Sequence, residues 1–340
     1  MATTSYKCPN CGASLLFNPE KQKLVCDYCL STFSVEELER KTLSEEAKPS
    51  PGLVVYHCDN CGAEVVTEET TTASFCYYCH NPVLISERLT GSYRPQIVIP
   101  FAFGKDKAVD IFKNWAHGRR YVPRDFLSAS QLEKITGLYL PCWMADYQAD
   151  VDFAGTAVNR RVWVAGNREY TEHQEYTVLR KGSVCVHHVY ELALQKFDKQ
   201  LIDAVTPYDE SRAVNFALPY LSGFFAETYD IKQADVQPMV EDRIRQYAET
   251  LVRETIGTYQ QINLTKTDLH LIPEKWSFAL LPVWILTYFY KGKTYIYAIN
   301  GQTGKIHGTL PVDQKHLSLE SLLIAACLFI LLILGGLFLW

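Results

Sequence analysis

The chain has no excess of positive charge. Its 340 residues hold 33 Lys and Arg against 38 Asp and Glu, a formal charge of −5 at pH 7. The deficit sits in front: residues 1–90 carry 7 basic and 12 acidic side chains, while residues 91–340 carry 26 of each. A divalent ion held by four thiolates would add a charge of about −2 more. Nucleic-acid binding draws most of its affinity from a basic surface that neutralises phosphates, so no nucleic-acid partner is expected. A nucleotide loop is also missing. Gly301-Gln302-Thr303-Gly304-Lys305 has some of its letters, but the glycine gap is too short and Ile306 stands where Ser or Thr is required. The segment reads as a turn.

Catalytic constellations are equally sparse. No general acid/base pair stands out. Cys142 and Cys185 have His173, His187 and His188 as the available bases, but no family signature surrounds them, and cysteines in strand-like runs read as small core residues. No enzymatic activity is expected. A secretory leader is lacking too: Met1–Tyr6 is polar and Cys8 follows at once. Thiolate metal ligands need a reducing compartment, so the cysteine-rich end is expected in the cytosol. With 48% hydrophobic residues, wholesale disorder is excluded.

What the chain does have is cysteine in one place. Eight of eleven fall in the first 79 residues as four CxxC pairs. Cys8, Cys11, Cys26 and Cys29 map onto Cys58, Cys61, Cys76 and Cys79 with a 50-residue period and equal 14-residue spacers, and Asn-Cys-Gly-Ala recurs at 10–13 and 60–63. A CxxC turn presents two sulfurs, and two such knuckles close a tetrahedral shell. The pattern predicts two four-cysteine zinc ribbons, 6–34 and 56–83, each with one structural Zn2+ that supplies the folding free energy of a unit with little core. Gly12 and Gly62 would turn the chain beside the metal. Iron and redox chemistry compete less well. Leu30 and His80 stand where a symmetric rubredoxin site has glycine, and no βαβ context accompanies the CxxC pairs. His57 and His80 read as surface residues or hydrogen-bond donors to the thiolates. Phe17, Phe33, Phe75, Tyr77 and Tyr78 read as ribbon core. A short helix is expected over Val35–Lys41, and linkers over 42–52 and 84–95.

The middle region, 96–312, reads as a mixed α+β domain. Strands are expected at 97–103, 138–153, 156–165, 170–180, 183–190, 279–290 and 293–299. Helices are expected at 105–117, 192–204 and 234–257, and tight turns at Lys291-Gly292 and Asn300-Gly301. Ile99-Pro100-Phe101 resembles Leu218-Pro219-Tyr220, and each precedes a helix and an LPxW strand, at 140–143 and 281–284. Two explanations stand side by side. One is a duplication into halves 96–200 and 215–312; the other is that aromatic strands often begin at Pro.

The last feature is an uncharged run of 19 residues, Leu322–Trp340. At about 1.5 Å per residue it is about 28 Å long, close to the hydrocarbon thickness of a bilayer. It is expected to be a single transmembrane tail anchor, leaving the N-terminal bulk in the cytoplasm. Gly335-Gly336 lacks GxxxG spacing, and Cys327 lies inside the run.

Taken together, CPNCG…CDYC, HCDNCG…CYYC, the LPxW strands, ALLPVWILTYFYKGKTYIYAINGQTGKIHGTLP and the apolar tail resemble the bacterial zinc-ribbon, membrane-anchored proteins typified by Bacillus YdjG. The resemblance spans nearly the whole chain, and the LPVW…NGQTGK…G segment gives it most of its weight. It implies a membrane-stress role beside a PspA-like (ESCRT-III-like) coat protein and a flotillin-like SPFH protein, with the eight ribbon cysteines as metal ligands and no catalytic residue. The resulting expectation is a non-enzymatic adaptor that docks partner proteins at the bacterial membrane. A nucleic-acid-binding ribbon protein and an enzyme of the middle region are the alternatives.

Overall fold

The computed structural model describes residues 5–42, 54–58, 64–67, 70–76, 81–89, 91–123, 126, 135–291 and 293–338. The first cysteine unit forms strands β1 (Leu15–Asn18), β2 (Lys23–Cys26) and β3 (Thr32–Phe33), an antiparallel sheet, followed by helix α1 (Val35–Thr42). A capping box starts α1. The Glu37 amide donates to Ser34 Oγ at 3.3 Å, and the Ser34 amide donates to Glu37 Oε2 at 2.9 Å. The second unit begins with β4 (Val54–His57) paired to β5 (Glu64–Thr67), then β6 (Thr71–Phe75) and β7 (Pro82–Leu84).

Matched positions keep the same bonds. Lys7 bridges Ser14 as His57 pairs with Glu64, and the amides of Cys26 and Cys76 both donate at 2.9 Å, to Ser31 and Asn81. The surroundings differ. β2 pairs with β1 inside its own unit, whereas β6 pairs with β12 (Phe225–Glu227) of the ten-stranded sheet. The expected linker 84–95 is instead two 3-10 turns, Ser86–Leu89 and Gly91–Tyr93. Buried Arg88 anchors the first by donating to the Thr71 carbonyl at 2.8 Å.

Two β-α-β-β units supply six of the ten strands of the main sheet. The first is β8 (Ile97–Val98), α2 (Lys105–His117), β9 (Thr136–Ala165) and β10 (Arg168–Leu192). The second is β12, α4 (Gln233–Ile256), β13 (Gln261–Tyr290) and β14 (Lys293–Asn300). Between them lie α3 (Lys199–Asp203) and β11 (Val214–Asn215). After β14 come β15 (Ile306–Gly308) and helix α5 (Gln314–Phe338).

β9 and β13 are antiparallel neighbours, and Leu140 of LPCW lies opposite Leu281 of LPVW. Around that pair the bonding repeats itself. β8 runs parallel to β13 at Ile97↔Ala279, and β12 runs parallel to β9 at Phe225↔Leu138. The Ala193 amide donates to the Pro141 carbonyl at 3.0 Å, and the Gly301 amide donates to Pro282 at 2.8 Å. Phe101 sits 4.9 Å from Trp284, as Tyr229 sits 5.0 Å from Trp143. The positions that correspond in space are thus Phe101 and Tyr229. Leu218-Pro219-Tyr220 forms a 3-10 turn after β11.

Several boundaries differ from expectation. β8 has only two residues because Pro100 has no N–H to continue a ladder. The stretches 138–153 and 156–165 are one 30-residue strand, and β10 likewise runs on to Leu192 past a bulge between Val186 and Val189. The strand containing 279–290 begins at Gln261. The helix expected over 192–204 is reduced to α3, because the chain first spends Leu192–Leu194 against the sheet. Buried Glu191 there pairs with Arg243 Nη2 at 2.8 Å and with Lys199.

β10, β9 and β13 form a long three-stranded arm. α4 covers one face with Val236, Val240, Ile244, Ala248, Val252 and Ile256, a stripe at helical spacing. The β9–β10 hairpin outruns β13, whose first residue, Gln261, pairs with Val158. The arm therefore ends in a two-stranded tip on which Trp163 and Tyr170 stack at 5.6 Å and are exposed.

Candidate metal centre

Cys8, Cys11, Cys26 and Cys29 converge. Their four Sγ atoms all lie within 4.8 Å of one another, with Cys8–Cys29 at 3.5 Å and Cys11–Cys26 at 3.4 Å. A tetrahedral ion with metal–sulfur bonds of about 2.3 Å requires sulfurs about 3.8 Å apart. The cluster fits such an ion with shifts of a few tenths of an ångström. Each knuckle is closed the same way. The amide of Gly12 donates to the Cys8 carbonyl at 2.8 Å, and the amide of Leu30 donates to Cys26 at 2.8 Å. Both residues adopt positive φ, +77° for Gly12 and +60° for Leu30. The second knuckle thus reaches the glycine conformation with leucine, which stands 76% exposed.

Without a cation the quartet cannot be fully ionised. Cys29 is drawn down to about 6 by its hydrogen bond to the Ser31 side chain and then by the Ser31 backbone. The Ala13 backbone lowers Cys11 too, but desolvation and the neighbouring sulfurs outweigh it and push the thiol up to about 12. Four thiolates need a cation among them. A closed four-sulfur shell has no open coordination position, so its chemistry is structural.

In the second quartet, Cys58 and Cys76 are buried with Tyr56, Val83 and Ile85. Cys61, Cys79, Gly62 and His80 lie outside the described residues. His57 is exposed on β4.

Two features escaped the sequence reading. Ser31 bridges the knuckles: Asn10 Nδ2 donates to its Oγ at 2.8 Å, and that Oγ lies 3.2 Å from Cys29 Sγ. The 50-residue alignment puts Asn81 at the same place, the one signal that could have found it. The first unit is also clipped to the main sheet. Buried Ser222 Oγ donates to the Leu15 carbonyl at 2.6 Å, the Phe17 amide donates to Ser222, and Gln22 Nε2 donates to the Phe101 carbonyl at 2.8 Å. Ser14 Oγ meets Asn81 Oδ1, so the two units touch.

The other residues considered as sites scatter. Cys142 is buried in the apolar cluster under α3, where burial, then the Glu191 and Asp203 carboxylates, hold its thiol protonated. Cys185 lies exposed on β10 opposite Gln148, and His173 stands far along that strand opposite Arg160. His187 faces Asp146 at 3.8 Å, and His188 takes positive φ at the bulge. Cys327 is exposed on α5. The Gly301–Lys305 turn is a clamp. Buried Asn300 donates to the carbonyls of Val205 and Pro207 at 2.9 and 3.1 Å and accepts from the amides of Gln302 and Thr303 at 2.9 Å each. Its loop amides are spent inside the protein, which removes any resemblance to a phosphate cradle.

α5 leaves the domain. Within Gln314–Ile333 it is long and apolar enough to cross a membrane, and none of that stretch is buried against the protein. Its root is held by Glu320, which accepts from Arg120 and from Tyr121 Oη.

No family model and no solved structure matches the chain. It is 32% identical over 315 residues to the uncharacterized protein YdjG of Bacillus subtilis (strain 168), an alignment covering 91% of each chain. The chain belongs to the YdjG family.

Proposed function

We propose that this protein is a non-enzymatic, membrane-anchored adaptor that presents a folded platform to partner proteins at the cytoplasmic face of a bacterial membrane. One observation carries the reading. A long apolar helix, α5, stands outside the domain with nothing buried over Gln314–Ile333, and a polar tether at Glu320 fixes its root. Water does not tolerate such a helix, and a bilayer does. Leu322–Trp340 is then a single span. Two Zn2+ ions, one per four-cysteine ribbon, hold Cys8, Cys11, Cys26 and Cys29, and Cys58, Cys61, Cys76 and Cys79. Their thiolates call for the reducing side of the membrane.

The platform is the main sheet with the ribbons clipped to it. Its partners, by likeness to the family described above, are PspA-like and SPFH (flotillin-like) proteins. Anchoring raises the local concentration of whatever the platform binds, which is sufficient for recruitment without chemistry. The test compares membrane fractions from cells carrying the full chain or a chain truncated before residue 322. Affinity purification from detergent extracts identifies the bound proteins, and immunoblotting follows them into the membrane fraction. The truncated chain should leave them in the soluble fraction. If they reach the membrane equally well without the apolar helix, the adaptor reading fails.

A further inference from the structure

At the root of α5 the fold builds a cleft that the adaptor reading does not use. It has a volume of about 380 Å³ and lies between the end of α2 and the strap from β15 to α5, with Trp115, Arg119, Tyr121, Leu310 and Pro311 among its walls. The strap is fixed there because the Asp313 amide donates to the Tyr121 carbonyl at 2.8 Å. Arg120, next to Arg119, holds Glu320, two residues before the apolar run begins, or about 3 Å along the helix axis. If α5 spans a bilayer, the cleft opens at headgroup depth, and its tryptophan and tyrosine are the residues that favour that layer.

The charges around the cleft are unbalanced. Among the described residues, the two nearby carboxylates are occupied: Glu320 by Arg120 and Tyr121, and Asp313 by the Lys315 and His316 amides it accepts at 3.1 and 3.3 Å. Arg119 lies over the Trp115 ring at 5.7 Å and has no carboxylate partner among the described residues. Lys315 adds positive charge on the first turn of α5. A planar guanidinium backed by an indole, beside an apolar wall, suits a phosphate ester carrying an acyl chain, because guanidinium binds phosphate oxygens in pairs.

We propose that this cleft binds the phosphate headgroup of an anionic glycerophospholipid and so sets the pose of the domain on the bilayer. The inference rests on the membrane reading of α5, and the two can fail separately. The full chain in neutral detergent is titrated with dihexanoyl phosphatidylglycerol, dihexanoyl phosphatidylcholine or inorganic phosphate, and the thermal midpoint is followed. Phosphatidylglycerol should raise the midpoint, and the other two should not. Arg119→Gln should weaken the apparent affinity about tenfold, the worth of one charge-assisted hydrogen bond, while Arg119→Lys should keep part of it. Arg119 is exposed, so neither change threatens folding. An equal response to inorganic phosphate, or an unchanged response in Arg119→Gln, overturns the proposal. Flotation of the full chain with pure phosphatidylcholine vesicles after an alkaline wash tests the span alone. Failure there sinks the anchor, whereas flotation without a phosphatidylglycerol response sinks only the headgroup site.

Discussion

The two cysteine units start from one pattern and finish in different company. In the first, β2 pairs only with β1 and β3 of its own unit, and the unit meets the main sheet through side chains and the Ser222 and Gln22 clips rather than through a strand ladder. In the second, the equivalent strand β6 gives its edge to β12 and becomes part of the ten-stranded sheet. A unit whose strands pair only among themselves should lean on a bound metal more than one whose strand is laddered into a larger sheet. Equal sequences at the ligands therefore do not mean equal dependence on the ion.

Metal removal should expose that difference most strongly. Structural zinc supplies about 10–16 kcal/mol of apparent binding free energy in small fingers, and no contact around β1 and β2 approaches that. Cys26→Ser, or chelation of the full chain in detergent, should strip hydrogen-exchange protection from residues 15–26. It should leave the amides of β6 that face β12 protected. Elemental analysis of Cys26→Ser should show one metal ion lost per chain. Equal loss of protection in β2 and β6 would break the contrast between the units.

A second test puts the main sheet on the other side of the comparison. Asn300→Ala removes four hydrogen bonds from a fully buried residue and frees the loop at 205–207. At about 0.5–1.5 kcal/mol each, the loss should come to about 2–6 kcal/mol, read as a lower thermal midpoint with metal content unchanged. Ser222→Ala tests the clip between the two regions. It should cost about 1–2 kcal/mol and shift exchange in β1 without altering that of β13.

Much of this was written in local pattern. The 50-residue period of the cysteines, helix 105–117, the 233–256 helix with Gly257 as its stop, and the Asn300 turn are all carried by residues adjacent in sequence. The unread parts depend on a neighbour. Gly155 looks like a break between two strands, yet it lies mid-strand. A Cβ there would meet the Asn263 carbonyl oxygen at 2.2 Å, so glycine lets the next strand come close. Residues 261–278 lose their alternation because bulges between Leu264 and Lys266, and between Pro273 and Lys275, exchange the faces of the strand. The pairing of β6 with β12 and the tether of Arg120 to Glu320 join residues about 150 and 200 positions apart, for which single-chain periodicity holds no signal. In the candidate metal centre, the convergence of Cys8, Cys11, Cys26 and Cys29 was legible and the bridging Ser31 was not, because a serine beside a cysteine marks nothing until the knuckles meet.

The smallest expected effect is also the one with opposite sign. Leu30 holds φ at +60° in the second knuckle of the first unit, where its side chain projects into solvent and its amide must reach the Cys26 carbonyl. A left-handed conformation costs an L-residue about 1–2 kcal/mol, and an exposed side chain returns little by packing. The first knuckle meets the same demand with Gly12 at no such cost. Leu30→Gly should therefore stabilise the unit by about 0.5–1 kcal/mol, the strain relieved being partly offset by the greater freedom of glycine in the unfolded chain. Chelator competition against the full chain should show tighter metal retention in this variant, and Gly12→Leu should show the reverse. A destabilised Leu30→Gly would mean that the exposed leucine is held by a partner protein or a lipid surface, and the first unit would then be less self-contained than its strand pairing indicates.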